Sequence, residues 1–387
     1  MSWLPCPQGP EWKIDWEQID SLSWIQRMKN CPQNPERHAE GDVWTHVHMV
    51  CEALVNLPSW RALPENVRPI LFAASLLHDV AKPICTRQEA DGSYSSRGHS
   101  WRGAVMARKI LWQKNYPFQI REQIAALVRH HLVPFYLVEA HNAQKLTIEI
   151  SQTVPCTWLS ILAEADARGR ICPDPDRLLR QIDHFREYAR QQQCYESPFP
   201  FSSGNSRFRF FHGDEVEKDP VVYQNPGNID RDPEGPHVYL MSGLPSAGKD
   251  YWIRNHLPKM KVICLDAIRS ELGVPYADPN GEVIVKARNL AKEYLTQKES
   301  LIWNATNLTR FVRSDCIGFF LRSDAKITLI YVESSPDKIQ QNNRNRNKRV
   351  PDGVMNRVLD RWEVPEISEA HEVFWYVGNQ MITEKPE

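Results

Sequence analysis

The sequence predicts an all-α domain followed by an α/β domain with a parallel sheet. In the first half of the chain, apolar residues recur at three- and four-residue steps, and no convincing strand occurs. After residue 236, short apolar runs alternate with helical stretches, which is the pattern of a parallel sheet covered by helices. The chain has 387 residues, enough for two domains with full cores. We therefore place the domains at residues 1–193 and 236–387.

The elements of each domain follow from these patterns. The predicted helices of the first domain are Asp42–Leu57, Arg68–Ala81, Trp101–Lys114, Gln119–Leu132, Thr157–Arg168 and Asp176–Gln193. The predicted strands of the second domain are Val238–Met241, Val262–Leu265, Leu301–Trp303, Ile327–Val332 and Val373–Val377. Residues 194–235 are rich in Pro, Ser, Gly and Asn, which indicates a linker or docking segment. Its aromatic-basic cluster Arg207–Phe211 favours packing on a domain.

The composition excludes several classes of protein. The formal net charge is −1, whereas a chain that coats nucleic acid is usually basic. Nine scattered cysteines without a CxxC pair argue against a disulfide framework and a zinc finger, and favour reduced thiols in a cytoplasmic protein. The first ten residues lack the pattern of a signal peptide. The longest apolar run, Ile70–Leu77, is too short to cross a membrane, so no membrane partner is expected.

Several polar residues lie on the apolar faces of the predicted helices. His46 shares a stripe with Val43 and Val50, His131 continues the stripe of its own helix, and Asp166 does the same. His48 points away from its stripe, and His130 lies at the edge of its stripe and remains an alternative to His131. The pair His78-Asp79 ends an apolar helix, and His99 opens another helix.

These inward-facing groups indicate a metal centre. Each would cost several kcal/mol if it were buried without a partner, and metal coordination removes that cost. Imidazole and carboxylate ligands together suit Mn, Ni, Co, Fe or Zn, and the sequence leaves the identity open. The adjacent His78-Asp79 pair can supply one residue to each of two metals and a bridge between them. Two neighbouring metals would hold a hydroxide and a phosphate oxygen, as hydrolysis of phosphoesters requires.

The order of these residues resembles the HD phosphohydrolase superfamily over residues 42–166. The resemblance implies one metal on His46, His78, Asp79 and Asp166. It implies a second metal on His99 and His131, with Asp79 as the bridge. Lys82 resembles the lysine of the HDxxK variant, which could neutralise the substrate phosphate. A solvated surface lysine would fit its position equally well.

The second domain begins with a phosphate-binding pattern. A predicted strand is followed by Gly243, Leu244, Pro245, Ser246, Ala247, Gly248 and Lys249, and then by a helix. This is the Walker A pattern in its required context, in which backbone N–H groups hold the phosphates of ATP or another NTP and Lys249 reaches the β/γ-oxygens. Asp250 stands where Ser or Thr normally binds Mg²⁺. It could bind magnesium, or it could begin the helix as a favourable negative charge.

Further polar residues follow the next strands. Asp266 comes directly after the second strand, with Arg269 one turn later. Asp266 could accept a proton from an attacking hydroxyl, could cap the following helix, or could do both. Asn304–Asn307 follows the third strand. A basic cluster precedes a later helix and could form a lid over the transferred phosphoryl group or a solvated face. Its members are Arg344, Arg346, Lys348 and Arg349.

This set of motifs resembles the phage-type 5′-hydroxyl polynucleotide kinases. The resemblance implies that Asp266 is the general base for the 5′-hydroxyl and that Arg269 holds a phosphate of the acceptor. It implies that Arg346 or Arg349 contacts the γ-phosphate.

The full chain, with its Gly-Lys-Asp Walker variant and its Trp303–Asn307 and Trp362–His371 segments, resembles the bacterial HD-Pnk end-healing enzymes. That resemblance implies hydrolysis of a 2′,3′-cyclic phosphate or terminal phosphomonoester, and phosphorylation of a 5′-hydroxyl with Mg²⁺ and an NTP. RNA or DNA ends would be the substrate, and a separate ligase would seal the products. Two alternatives remain: a free-nucleotide phosphohydrolase fused to a small-molecule kinase, and an HD regulator gated by ATP.

Overall fold

The computed structural model describes residues 4–216, 226, 233–275, 281–346 and 349–382. The chain divides into two compact units, Met1–Phe199 and Pro200–Glu387. No helix within these described ranges is long and apolar enough to span a membrane.

The first unit is rich in helices, as the periodicity predicts. Its helices are α1 Trp16–Asp20, α2 Ser23–Gln26, α3 Val43–Asn56, α4 Pro58–Arg61, α5 Arg68–Leu77, α6 Lys82–Cys85, α7 His99–Gln113, α8 Phe118–His130, α9 Val133–Tyr136, α10 Ala143–Ser151, α11 Cys156–Arg168 and α12 Pro175–Gln191. One small antiparallel hairpin, β1 Arg87–Gln88 and β2 Tyr94–Ser95, was not expected from the sequence. Its strands are two residues long, too short for an alternating pattern.

The core of the first unit brings together the helices that carry the candidate metal ligands. Helix α3 begins where the side chain of Asp42 accepts a hydrogen bond from the backbone N–H of Thr45 at 2.8 Å. Its buried face includes His46 and packs against α5 and α11, and α11 in turn packs against α8. The ends of α5 and α8 and the interior of α3 and α11 therefore meet in one core.

The second unit is an α/β domain. Its elements are α13 Gly204–Val216, β3 His237–Ser242, α14 Lys249–His256, β4 Lys261–Cys264, α15 Leu265–Glu271, α16 Gly281–Thr296, β5 Leu301–Asn304, α17 Arg310–Leu321, β6 Lys326–Glu333, α18 Pro336–Arg344, α19 Asp352–Leu359, β7 Glu372–Val377 and β8 Gln380–Ile382. The sheet order over the described residues is β4-β5-β3-β6-β7-β8. All neighbouring strands are parallel except β7 and β8, which are antiparallel.

The segment at 194–235 is partly helical. Where the sequence predicts a linker or docking segment, residues 204–216 form α13, because this helix buries aromatic residues against the rest of the second unit. The Phe208 and His371 rings lie 4.1 Å apart, and the His212 ring is 3.1 Å from the Ser368 carbonyl oxygen. Residues 217–225 and 227–232 of the segment lie outside the described residues.

Candidate functional sites

Four imidazoles and two carboxylates converge in the core of the first unit. The Nε2 atom of His46 lies 3.1 Å from an oxygen of Asp166 and 3.4 Å from Nε2 of His78. The Nε2 atoms of His99 and His131 are also 3.4 Å apart. Asp79 lies between these two groups, with one oxygen 3.3 Å from His78 Nε2 and the other 3.3 Å from His99 Nε2. A single carboxylate therefore faces both halves of the cluster.

The other ring nitrogen of each histidine is held by an oxygen atom. The Nδ1 atoms of His78, His99 and His131 donate to the backbone carbonyls of residues 75, 96 and 128, at 2.8, 2.7 and 2.8 Å. His46 Nδ1 lies 2.9 Å from a carboxylate oxygen of Glu40. Because these oxygens only accept hydrogen bonds, Nδ1 carries a hydrogen, and Nε2 is the ring nitrogen that faces the cluster. Metal-binding histidines show this arrangement.

The donor atoms fit divalent metal ions. Asp79 Oδ1 and Asp166 Oδ2 are buried and have no hydrogen-bond donor among the described residues. Burial alone would raise the pKa of Asp79, but Lys82 and His78 hold that pKa well below its ordinary value, so the carboxylate is ionised. Burial and the neighbouring His78 lower the pKa of His131 to about 3, so this imidazole is neutral. Ionised carboxylates and neutral imidazoles are the forms that bind metals.

The residues whose roles the sequence left open lie in different surroundings. His131 is 1% exposed and faces the cluster, whereas His130 lies half-buried on α8. His48 lies outside the cluster and stacks on Trp16, with ring centroids 3.6 Å apart. Lys82 is buried, so its interpretation as a solvated surface lysine is wrong. Its ammonium group lies 2.7 Å from Asp79 Oδ2 and donates to Gln33 Oε1 at 2.6 Å.

Sequence reasoning missed three residues that surround the cluster. Arg170 forms a buried ion pair with Asp166, with 2.7 Å between guanidinium nitrogen and carboxylate oxygen. The four-residue spacing from Asp166 could have identified it. Gln33 and Glu40 lie in the segment before α3, where no periodic pattern marks a residue that faces inward. The sequence offered no signal for these two.

The phosphate-binding loop of the second unit depends on its glycines. Gly243 has φ +144°, and a Cβ atom there would lie 2.2 Å from the Val332 carbonyl oxygen, so a larger residue would displace the loop from β6. Gly248 has φ +107° and directly precedes α14. Lys249 Nζ donates to the carbonyls of Gly243 and Leu244 at 2.9 and 3.0 Å. Burial lowers the pKa of this amine to about 8. The loop therefore points its lysine into the space that a phosphate group would take.

Asp250 lies in the first turn of α14 and is held at the carboxyl end of β5. Its Oδ1 atom accepts a hydrogen bond from Asn304 Nδ2 at 2.6 Å. The carboxylate is exposed and borders the same cavity as Lys249. Both suggested roles, a negative charge at a helix N-terminus and a magnesium ligand, are compatible with this position.

A cavity of about 1110 Å³ lies above the loop and brings together most of the predicted kinase residues. Asp266 and Arg346 line it, with 2.6 Å between the guanidinium nitrogen and a carboxylate oxygen. Asp266 is inside α15, whose N-cap is Cys264, so its interpretation as the helix cap is wrong. Arg269 also lines the cavity and donates to the Pro275 carbonyl at 2.6 Å.

The basic cluster before α19 divides between two positions. Arg346 faces Asp266 in the cavity. Arg349 pairs with Asp352 at 2.8 Å and is more than half exposed. Arg344 is exposed and lies 3.5 Å from Gln340 Oε1. Lys348 lies outside the described residues. Of these residues, Arg346 is therefore the one that lines the cavity above the phosphate-binding loop.

Comparison with known proteins agrees with the phosphate-binding loop. A family model described as an AAA domain matches residues 238–365. A CC-adding tRNA nucleotidyltransferase from Thermus thermophilus is 38% identical over 88 residues, which are 20% of this chain and 20% of that protein. The chain thus matches about a fifth of the length of this curated relative. A sugar kinase structure from Janibacter sp. is 16% identical, with 38% of this chain and 87% of that chain covered and a TM-score of 0.29.

The loop geometry and the family match together support a P-loop, nucleotide-binding domain in the second unit. A P-loop of this kind binds the phosphates of a nucleotide together with Mg²⁺. The first unit contains a possible His/Asp metal centre of unspecified metal.

Proposed function

We propose that the chain heals broken nucleic-acid ends with two active sites. The first unit hydrolyses a 2′,3′-cyclic phosphate or a terminal phosphomonoester, and the second unit transfers the γ-phosphate of an NTP to a 5′-hydroxyl. The observation that carries this proposal is that one chain combines a P-loop cavity containing a carboxylate with a buried His/Asp cluster. These two chemistries produce the two kinds of end that a ligase joins.

In the kinase site, each residue has a role that its position supports. The loop amides and Lys249 bind the β- and γ-phosphates. Asp266 accepts the proton of the 5′-hydroxyl, and its location in the cavity beside Arg346 supports this role. Arg346 then neutralises charge on the transferred phosphoryl group. Arg269, at the same cavity wall, holds a phosphate of the acceptor.

In the hydrolase site, the chain supplies ligands and positive charge. His46, His78, Asp79 and Asp166 would hold one metal, and His99 and His131 the other, with Asp79 shared. Bound metals supply an activated hydroxide and a binding site for a phosphate oxygen. Lys82, which is buried beside Asp79, adds positive charge for the phosphate group.

Two alternatives make different use of the same residues. A free-nucleotide phosphohydrolase fused to a small-molecule kinase would have no acceptor phosphate for Arg269. An HD regulator gated by ATP would have no need of Asp266 as a base. A nucleic-acid substrate is favoured because the curated relative is named for an activity on tRNA.

The test is a reaction with an oligoribonucleotide that has a 5′-hydroxyl and a 2′,3′-cyclic phosphate, in the presence of ATP and divalent metals. We expect both ends to change, with the 5′ end unmodified in Lys249→Ala and the 3′ end unmodified in Asp79→Asn. A deoxyribonucleotide with a 3′-phosphate distinguishes RNA from DNA preference. Activity on free nucleotides and none on oligonucleotides would refute the proposal.

A further inference from the structure

The Glu40 side chain makes two hydrogen bonds and one further close contact beside the His/Asp cluster. Its side chain is 1% exposed, although it lies in the irregular segment before α3. One carboxylate oxygen is 2.9 Å from His46 Nδ1 and 2.7 Å from His38 Nδ1. The other oxygen accepts the backbone N–H of Ile171 at 2.9 Å. The carboxylate therefore connects α3 to the chain that follows α11.

His46 needs such a partner because of its position in a helix. His78 and His131 follow the last residues of α5 and α8, and His99 opens α7, so each uses the carbonyl of the residue three positions earlier. The carbonyls of residues 75 and 128 lie in the last turns of α5 and α8, where carbonyls lack a full set of helical partners, and residue 96 precedes α7. His46 lies inside α3, where the preceding carbonyls accept helical N–H groups. Its Nδ1 hydrogen must find an oxygen from another part of the chain.

Two oxygens from outside the helix reach His46 Nδ1. Besides Glu40 at 2.9 Å, the carbonyl of Gly169 lies at 3.2 Å. The hydrogen bond of Nδ1 is to the Gly169 carbonyl, whereas the Glu40 carboxylate is the closer of the two oxygens and attracts the same N–H group by its charge. A carboxylate also makes the opposite ring nitrogen a better electron donor.

We propose that Glu40 is a positioning residue for the metal centre, which acts by orienting the His46 imidazole so that its Nε2 atom faces the metal. This inference rests on the proposed function, because it takes the His/Asp cluster as a metal-binding hydrolase site. Glu40 does not touch the substrate or the metal. Its loss weakens the metal site at His46 and leaves the half formed by His99 and His131 intact.

The test measures metal binding and does not depend on activity alone. The full chain is freed of metal, and its binding of Mn²⁺ is measured by calorimetry and by metal analysis after dialysis. Glu40→Gln keeps the shape of the side chain and removes the charge, and Glu40→Asp keeps the charge on a shorter arm. Glu36→Gln is the matched control, because it removes one charge from an exposed glutamate four residues earlier.

We expect one Mn²⁺ site of Glu40→Gln to weaken by about 10- to 100-fold, the range known for carboxylates that hold a metal-binding histidine. The other site and Glu36→Gln should bind as the wild type does. Hydrolysis by Glu40→Gln should return to within a few-fold of wild type when Mn²⁺ is raised to saturation, and Glu40→Asp should recover part of the affinity. Kinase activity should not change.

Three results would overturn the inference. Wild-type Mn²⁺ affinity in Glu40→Gln would show that the carboxylate does not position the ligand. Lost hydrolysis that excess Mn²⁺ does not restore, together with a lower melting temperature of the metal-free chain, would show a structural role only. If the wild-type chain bound no Mn²⁺, the proposed metal centre itself would be refuted. This third result differs from the first two, which refute only the role of Glu40.

Discussion

We expect a substitution at Asp79 to weaken the proposed metal centre more than a substitution at any other ligand. Four imidazole Nε2 atoms surround its carboxylate, two beside each oxygen. The distances are 3.3 and 3.8 Å to His78 and His46 on one side, and 3.3 and 3.9 Å to His99 and His131 on the other. Asp79→Asn preserves the volume of the side chain and removes the charge that both metals would share. We therefore expect both metal sites to weaken together.

The expected magnitude follows from linkage between binding and folding. At a metal concentration about 1,000 times the dissociation constant, one bound metal stabilises the folded chain by about 4 kcal/mol. If Asp79→Asn weakens that site about 100-fold, the stabilisation falls to about 1.4 kcal/mol. Hydrolysis should fall by about a thousandfold or more, which corresponds to about 4 kcal/mol of transition-state stabilisation.

The assay compares urea unfolding of the wild type and the variant with and without Mn²⁺, together with phosphate release. The metal-free curves isolate any direct effect of the substitution on folding, and kinase activity checks that the second unit is intact. His48→Ala is the control for His46→Ala, because His48 stacks on Trp16 away from the cluster. The metal centre would be refuted if Asp79→Asn kept its Mn²⁺-dependent stabilisation, or if His48→Ala were as damaging as His46→Ala.

Three further predictions concern the second unit. Arg346→Met should lower the kinase rate by about 100-fold or more, because Arg346 lines the cavity. Arg349→Met should leave the rate within a few-fold of wild type, because Arg349 pairs with Asp352 outside the cavity lining, and equal losses of rate would contradict this. A fragment of residues 200–387 should melt at a higher temperature than one of residues 233–387, since the latter lacks α13; equal melting would refute that packing role. Arg313→Met should reduce the free energy of unfolding by about 3–5 kcal/mol, because it removes the ion-pair partner of the buried Glu369 carboxylate. Urea unfolding that shows a loss below about 1 kcal/mol would contradict this prediction.

The sequence predicts the parts of the fold that depend on local patterns. Helix α3 was predicted within one residue at each end, because its buried stripe is regular and Asp42 marks its start. The strand, loop and helix around Gly248 were predicted for a similar reason, since phosphate binding requires particular backbone conformations that glycine permits. Strand β8 was missed because it is three residues long and mostly exposed, so no apolar pattern marks it.

The candidate sites divide in the same way. Histidines on helix faces could be found from their spacing, because burial of an imidazole shows in the periodicity. The contact of Glu40 with His46 could not be predicted, because Glu40 lies in a segment without periodicity. Its partners come from distant parts of the chain and meet it only in the folded protein. The pairing of Arg346 with Asp266 also joins residues far apart in the sequence. The sequence alone therefore could not show which of the four basic residues before α19 lies in the cavity.

The hydrogen bonds to the four imidazoles have a consequence for the order in which the metal centre forms. Three rings are oriented by a carbonyl three residues earlier, so each can adopt its orientation as soon as its own turn of chain is formed. The fourth ring lies against the Gly169 carbonyl, 123 residues later in the chain, and against the Glu40 carboxylate, which is itself held by a contact across 131 residues. Both contacts require closure of a long loop. Such closure comes late when long-range contacts form after local ones. Metal uptake at His46 therefore reports completion of the tertiary fold, and hydrogen exchange at the Ile171 amide would follow the same event.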